Sequence, residues 1–482
     1  MAEALNPDGT PVTVGDVTLS TPGLTGQAEV LAAGSPGLRM REGTTDALAE
    51  AVISAGFLEQ LTIEISEHVE VAQVTGTRSG GGPEITLSVP NPGPSFAQVL
   101  LYTAEDGSQS WHLPAEPPGT GETRFTYAIP RTIVPPADGA VPGYRGLVWA
   151  IGRKLLKVLA FPLLERGTAV VAERIAARWE AGHRPYRLRT FTPDDYAHAD
   201  GRGLACEDWA RFAQGPTLLF LHGTFSRSDL AFRDLAAEQF GQLHGLYGGR
   251  VLAFDHPTLS VDPAANAGEL LARLPEGLAL TFDVVAHSRG GLVGRELGVQ
   301  AGPEIAVRRL VMVGTPNAGT ILADAKHWGA YVDRMTNLLQ FVPDNPVTDV
   351  LDAVLTVLKH LALGAVRGLD GLTAMDPAGP YLTQQLNHVA PKGSPVLYAI
   401  ASDYDPPSNS PLARVSRNGL TDLVFGRDGN DLVVPTLGTY QVDGVPGFPV
   451  PDPLLLGKAA AVEHTGYFGD PAVAERLLTW LR

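Results

Sequence analysis

The sequence predicts an α/β protein: a mostly parallel sheet flanked by helices, carrying a helical lid insertion and preceded by a small N-terminal β-sandwich-like domain. Three observations carry that expectation. From about Pro185 to Arg482, short apolar runs alternate with helix-like stretches. Repeated βα alternation implies a parallel sheet with its functional loops at the strand C-termini. Before about Pro142, short segments alternate apolar and polar residues, as half-buried strands do. Between about Thr320 and Pro395 a long, mostly helical insertion interrupts the βα pattern.

The 482 residues suffice for two or three domains. We read residues 1–142 as the β-rich domain, 143–184 as a helical linker and 185–482 as the α/β domain, with its lid at about 320–395. In the first, Leu61, Ile63 and Ile65, then Ile85, Leu87 and Val89, then Phe125, Tyr127 and Ile129 mark strands. Turn signals separate them, at Asn91-Pro-Gly-Pro and at Asp106-Gly107, a hairpin dipeptide. A helix over Thr45–Phe57 is expected before them. In the linker, Leu147, Val148, Ile151, Leu155, Val158 and Leu159 follow helical spacing, with Arg145, Arg153, Lys154 and Lys157 on a basic side. Pro162 should end that helix. It reads as a helix packed on the next domain, with weak peripheral membrane contact as the alternative. In the α/β domain the strands are expected at Leu218–Leu221, Val251–Phe254, Phe282–Ala286, Leu310–Val313 and Val396–Ile400.

Composition narrows the function. Hydrophobic residues make up 44% and charged residues 18%, the balance of a folded globular chain. A formal net charge of −16 argues against nucleic acid, which needs clustered Lys and Arg. Cys206 is the one cysteine, so no internal disulfide and no Cys-rich zinc site can form. Residues 1–25 have neither a basic stretch nor an apolar core, so no signal peptide is expected. A cytoplasmic location fits both features.

The strongest motif is Ala286-His-Ser-Arg-Gly290, followed by Gly291, between a strand and a helix through Leu292, Val293 and Leu297. Small residues around a serine at a strand–turn–helix form a nucleophile elbow, which lifts Ser288 Oγ above the sheet. Ala286 stands where Gly is usual. A second motif is Phe220-Leu-His-Gly-Thr-Phe225 after an earlier strand. Acyl transfer develops an oxyanion that needs two fixed N–H donors. We expect them to be the amides of Arg289 and Thr224, with Gly223 giving close approach and His222 holding the loop. Asp255-His256-Pro257 reads as turn chemistry.

With His222-Gly, the Ser288 elbow and Gly314-Thr-Pro-Asn-Ala-Gly-Thr320 in this order, residues from about Gly215 to Arg482 resemble the lipase/esterase branch of the α/β-hydrolases. Asn317 stands where many of those proteins carry His. The resemblance implies the α/β-hydrolase fold and the order Ser, acid, His. His464, just before a closing helix at Pro471–Leu481, sits in the family's position for the base, ahead of His327, His360 and His388. Asn430-Asp-Leu-Val-Val-Pro435 is similar to the D-G-V-V-P loop of lipases, with Leu432 replacing Gly, which makes Asp431 the first candidate for the acid. Asp403, Asp405 and Asp428 stay open. The implied activity is a serine hydrolase acting on carboxylic esters through an acyl-enzyme. Thioesterase, amidase, acyltransferase or a non-catalytic binding shell are the rivals. No cofactor and no metal are expected. The expected partner is a small-molecule ester or lipid, and the apolar face of Val350, Leu351, Val354, Leu355 and Leu358 in the insertion favours hydrophobic acyl groups.

Overall fold

The computed structural model describes residues 2–31, 58–70, 84–93, 96–103, 109–112, 114, 123–130, 154–162, 176–177, 180–323, 369–405 and 429–482. Among these, contacts divide the chain into a first unit reaching Val171 and a second beginning at Ala172. The helix expected at Thr45–Phe57, the Asp106-Gly107 turn, most of the insertion, His327, His360 and Asp428 lie outside the described residues.

The first unit holds two antiparallel sheets. One contains β1 (Glu3–Ala4), β4 (Leu24–Leu31), β5 (Leu58–Glu70), β7 (Phe96–Thr103), β8 (Gln109–His112) and β10 (Lys154–Pro162), in the order β1-β4-β5-β10-β7-β8. The other contains β2 (Val12–Val14), β3 (Val17–Ser20), β6 (Glu84–Pro90) and β9 (Arg124–Pro130), in the order β2-β3-β6-β9. Ile63 and Ile65 of β5 share one buried core with Ile85, Leu87 and Val89 of β6 and with Phe125, Tyr127 and Ile129 of β9. Period-2 burial is therefore the force that aligns these strands.

The helical linker expected at 143–184 is corrected over Lys154–Pro162. This stretch is β10, paired antiparallel with β5 on one side and β7 on the other. Leu155, Leu156, Val158, Leu159 and Ala160 are all buried, because a central strand is covered on both faces. A short apolar run of that kind satisfies helical spacing as well as a doubly buried strand. The basic amphipathic helix proposed for membrane contact does not exist over these residues. Lys157 instead pairs with Glu59 on the neighbouring strand at 2.9 Å. Among the described residues no helix is long and apolar enough to cross a membrane.

The second unit is a seven-stranded sheet of β11 (Arg187–Thr190), β12 (Thr217–Leu221), β13 (Val251–Asp255), β14 (Leu280–His287), β15 (Ile305–Val313), β16 (Val396–Ser402) and β17 (Leu454–Leu456). The order is β11-β13-β12-β14-β15-β16-β17. Only β11 runs antiparallel to its neighbour. Alternate residues serve opposite faces. Leu218 and Phe220 join a core with helices α1 (Ala237–Leu246) and α4 (Pro471–Leu481). Leu219 and Leu221 join another with α2 (Pro263–Ala272) and α3 (Gly290–Gln300). Both faces are covered, so the strands read as continuous apolar runs. Successive strands step outward from β12 to β13 on one side and from β14 to β17 on the other. That reversal opens a crevice above the C-terminal ends of β12 and β14, where ligands bind in open α/β sheets.

Candidate active site

Ser288 stands in that crevice, directly after β14. Its φ is +53°, a region that costs a non-glycine residue strain and is held here by the surrounding structure. Its amide donates to the Val313 carbonyl at 2.8 Å, and its carbonyl accepts from Gly291 N at 2.9 Å, so strand and helix fix both sides of the turn. Gly290 is required by close approach: a Cβ there would lie 2.4 Å from the Leu221 carbonyl oxygen.

The Ser288 hydroxyl donates to His464 Nε2 at 2.9 Å, and His464 Nδ1–H donates to Asp431 Oδ2 at 2.8 Å. The three side chains lie on different loops, yet all are buried. The backbone repeats the link, since His464 N donates to the Asp431 carbonyl at 3.0 Å. Asp431 Oδ1 accepts from the amides of Val433 at 3.0 Å and Val434 at 2.7 Å. Burial pushes this carboxyl up, but the His464 ring and these amides outweigh it and hold it below its ordinary range. It therefore stays ionised against the imidazole. Leu432, the residue that replaces Gly in the lipase-like loop, has φ +81°, so the turn keeps the glycine-favoring conformation without the glycine.

The other described candidates, Asp403, Asp405 and His388, make no hydrogen bond to the hydroxyl. Asp405 is exposed and lies 3.9 Å from Lys458 Nζ. Asp403 packs beside Gly429. His388 is exposed and donates to the Thr383 carbonyl. Asn317 is structural: its amide donates to the Thr439 carbonyl at 2.7 Å and its Oδ1 accepts from Arg295 at 3.3 Å. Cys206 is free and exposed.

The His222-Gly223-Thr224 loop meets the serine closely. A Cβ on Gly223 would lie 2.6 Å from Ser288 Cβ. His222 Nδ1–H donates to the Gly223 carbonyl at 2.9 Å, and its Nε2 accepts from His256 N at 3.1 Å. Carbonyl and N–H of one trans peptide point in opposite directions. Holding the Gly223 oxygen therefore turns the Thr224 N–H the other way. Neither the Thr224 nor the Arg289 amide donates to another described group. His222 and His256 stack at 4.2 Å. Burial pushes His222 down to about 4, so it is a neutral support. Asp255 accepts from Ser228 N at 2.8 Å, which makes the Asp255-His256-Pro257 loop a buttress of this region.

Several contributors gave no sequence signal of their role. The Tyr467 hydroxyl donates to Asp431 Oδ2 at 2.9 Å, and burial with that charge holds its phenol well above the usual range. Glu180 accepts from the amides of Leu259 at 2.8 Å and Ser260 at 3.0 Å, bracing the loop after β13. The Arg289 side chain is buried and donates to the carbonyls of Gly371, at 2.7 Å, and Val261. It ties the end of the insertion to the elbow. Met375, on the same segment, places its sulfur 3.8 Å from Thr224 Oγ1. Tyr467 lies three residues beyond His464, a spacing that only a known contact would have made informative.

An imidazole so placed can take the hydroxyl proton, and the carboxylate can stabilise the imidazolium that results. Residues 183–482 match one family model. The chain belongs to the family described as Domain of unknown function (DUF7379). This DUF7379 chain matches no curated protein. Among solved structures it is similar to Bacillus licheniformis lipase BlEst2 in mature form, at 18% identity and TM-score 0.35, over 55% of this chain and 91% of that one. It is also similar to lipase 1 from Pelosinus fermentans, at 12% identity and TM-score 0.38, over 55% and 97%. A third is an alpha/beta hydrolase fold protein from Chitinophaga pinensis, at 13% identity and TM-score 0.32, over 55% and 88%.

Proposed function

We propose that the chain is a lipase-like carboxylic ester hydrolase that works through an acyl-enzyme on Ser288. The observation that carries this reading is the unbroken hydrogen-bond chain from the strained Ser288 through His464 to Asp431. His464 Nε2 takes the hydroxyl proton as Oγ attacks the ester carbonyl carbon. The carbonyl electron pair moves onto oxygen, where the amides of Thr224 and Arg289 receive it. Collapse expels the alcohol, which leaves with the proton from His464. Water then repeats the attack, with His464 again as base, and releases the acid.

The test is labelling by a fluorophosphonate together with hydrolysis of p-nitrophenyl esters of increasing chain length. Wild type should label and turn over esters. Ser288→Ala should abolish labelling and lower kcat by about 10⁶-fold. Labelling that survives Ser288→Ala, or a well-folded wild type that neither labels nor hydrolyses any ester, would sink the proposal.

A further inference from the structure

His287, the residue before Ser288, has a contact that the hydrolase chemistry does not use. Its Nε2 lies 2.8 Å from the His464 carbonyl oxygen. A carbonyl only accepts, so Nε2 carries the proton and Nδ1 is bare. Nδ1 is buried and has no partner among the described residues. The ring is fixed by aromatic neighbours, edge-on to Phe468 at 5.8 Å and to Tyr467 at 6.3 Å, and stands 5.1 Å from the His464 ring. The His464 peptide is thus held twice: its N–H by the Asp431 carbonyl, and its carbonyl by His287.

We infer that His287 is a positioning residue for the general base, acting through its Nε2–H on the His464 backbone. This rests on the reading of Ser288 and His464 given above. His287 ends the same strand that presents the serine, so nucleophile and base are referred to one rigid point of the sheet. Without that donor the His464 carbonyl loses its tie to the strand that presents the serine, and the Ser288–His464 distance can lengthen. A neutral donor is needed, because an imidazolium at this position would repel the imidazolium that His464 becomes during turnover. Burial, and then the neighbouring His464, push His287 down to about 3, which keeps it neutral. Asp431, Glu463, the Tyr467 hydroxyl and the His222 ring are the other ionisable groups around this pair among the described residues.

Amide variants separate the hydrogen bond from simple packing. A Gln side chain places its –NH₂ near the position of histidine Nε2, whereas Asn reaches only as far as Nδ1. The measurement is the second-order rate of fluorophosphonate labelling against pH for wild type, His287→Gln, His287→Asn and His287→Phe, with folding followed by circular dichroism. His287→Gln should stay within about threefold of wild type. His287→Asn and His287→Phe should fall by about 10- to 100-fold and move the midpoint of the pH–rate profile. Equal losses in all three, or no loss in any, would overturn the inference. Nitrogen-15 NMR of the wild-type histidines decides the contact without a variant: His287 should be neutral and protonated at Nε2, and an Nδ1–H tautomer would overturn the inference as well. A wild type that does not label would defeat the hydrolase reading instead, and the tautomer would still decide this contact.

Discussion

At the residue scale, the site is a set of protonation states fixed by burial and by hydrogen bonds. Asp431 accepts from two backbone amides, an imidazole and a phenol. Asp431→Asn keeps that shape but can present its –NH₂ to His464, which favours the wrong tautomer. Ester hydrolysis should fall about 10³- to 10⁴-fold at neutral pH with folding retained, and a variant within tenfold of wild type would remove Asp431 from the chemistry. The buried histidines make a second prediction. The unfolded chain protonates histidine near pH 6.5. Folded His222 and His287 resist protonation down to about 4 and about 3, and His256 is also lowered. Between those values the unfolded state binds more protons, so stability rises with pH across the window. It is complete above about pH 6.5 and is lost as the pH falls toward the folded values. Urea midpoints should therefore drop steeply between about pH 6.5 and 4.5, and a flat profile would contradict neutral buried rings. Ser288, His464 and Asp431 were legible because local chain features mark them: small residues around the serine, a histidine ahead of the closing helix, an aspartate in a recognisable loop. His287 and Tyr467 were not, since each takes its role from a partner across the fold.

At the element scale, two glycines separate chemistry from folding. A Cβ at Gly223 would meet the Ser288 side chain at 2.6 Å, whereas one at Gly290 would meet the backbone oxygens of Leu221 at 2.4 Å and His222 at 2.6 Å. Gly223→Ala should therefore leave a folded protein whose labelling falls about 100-fold. Gly290→Ala should cost about 3 kcal/mol in urea unfolding, because strand and helix must separate to admit the methyl group. The reverse pattern would mean that the elbow is not packed as described. Strands β12 to β16 of the second unit were readable since both faces bury side chains and leave unbroken apolar runs, whereas the short edge strands β11 and β17 were not. The same property hid β10. Leu155, Leu156, Val158 and Leu159 satisfy a helical stripe and a doubly buried strand alike, and only the pairing with β5 and β7 decides between them.

At the scale of the whole molecule, a charge buried at the far end of the serine's own strand is a stability device. Asp283 in β14 accepts from Tyr247 at 2.6 Å and from Arg308, with Arg309 at 3.4 Å. Arg309 also holds the Leu481 carbonyl at 2.8 Å, which ties α4 to the sheet. Asp283→Ala removes the shared acceptor of Tyr247 and Arg308 and should cost about 1–3 kcal/mol in urea unfolding. Labelling of the folded fraction should stay unchanged, because Asp283 lies about 16 Å along the strand from Ser288. A labelling defect at full stability would contradict that separation. The reversal of strand order could not be read from periodicity, which fixes faces but not neighbours. One feature of the sheet bears on how such a protein can change. The chain leaves β15 at Val313 and re-enters the adjacent parallel slot at Val396. Both ends of the excursion are pinned by the ladder, and closure entropy grows only with the logarithm of loop length. A change in the length of that excursion therefore alters closure entropy little, and β15 and β16 can keep their register while the chain between them is lengthened or shortened.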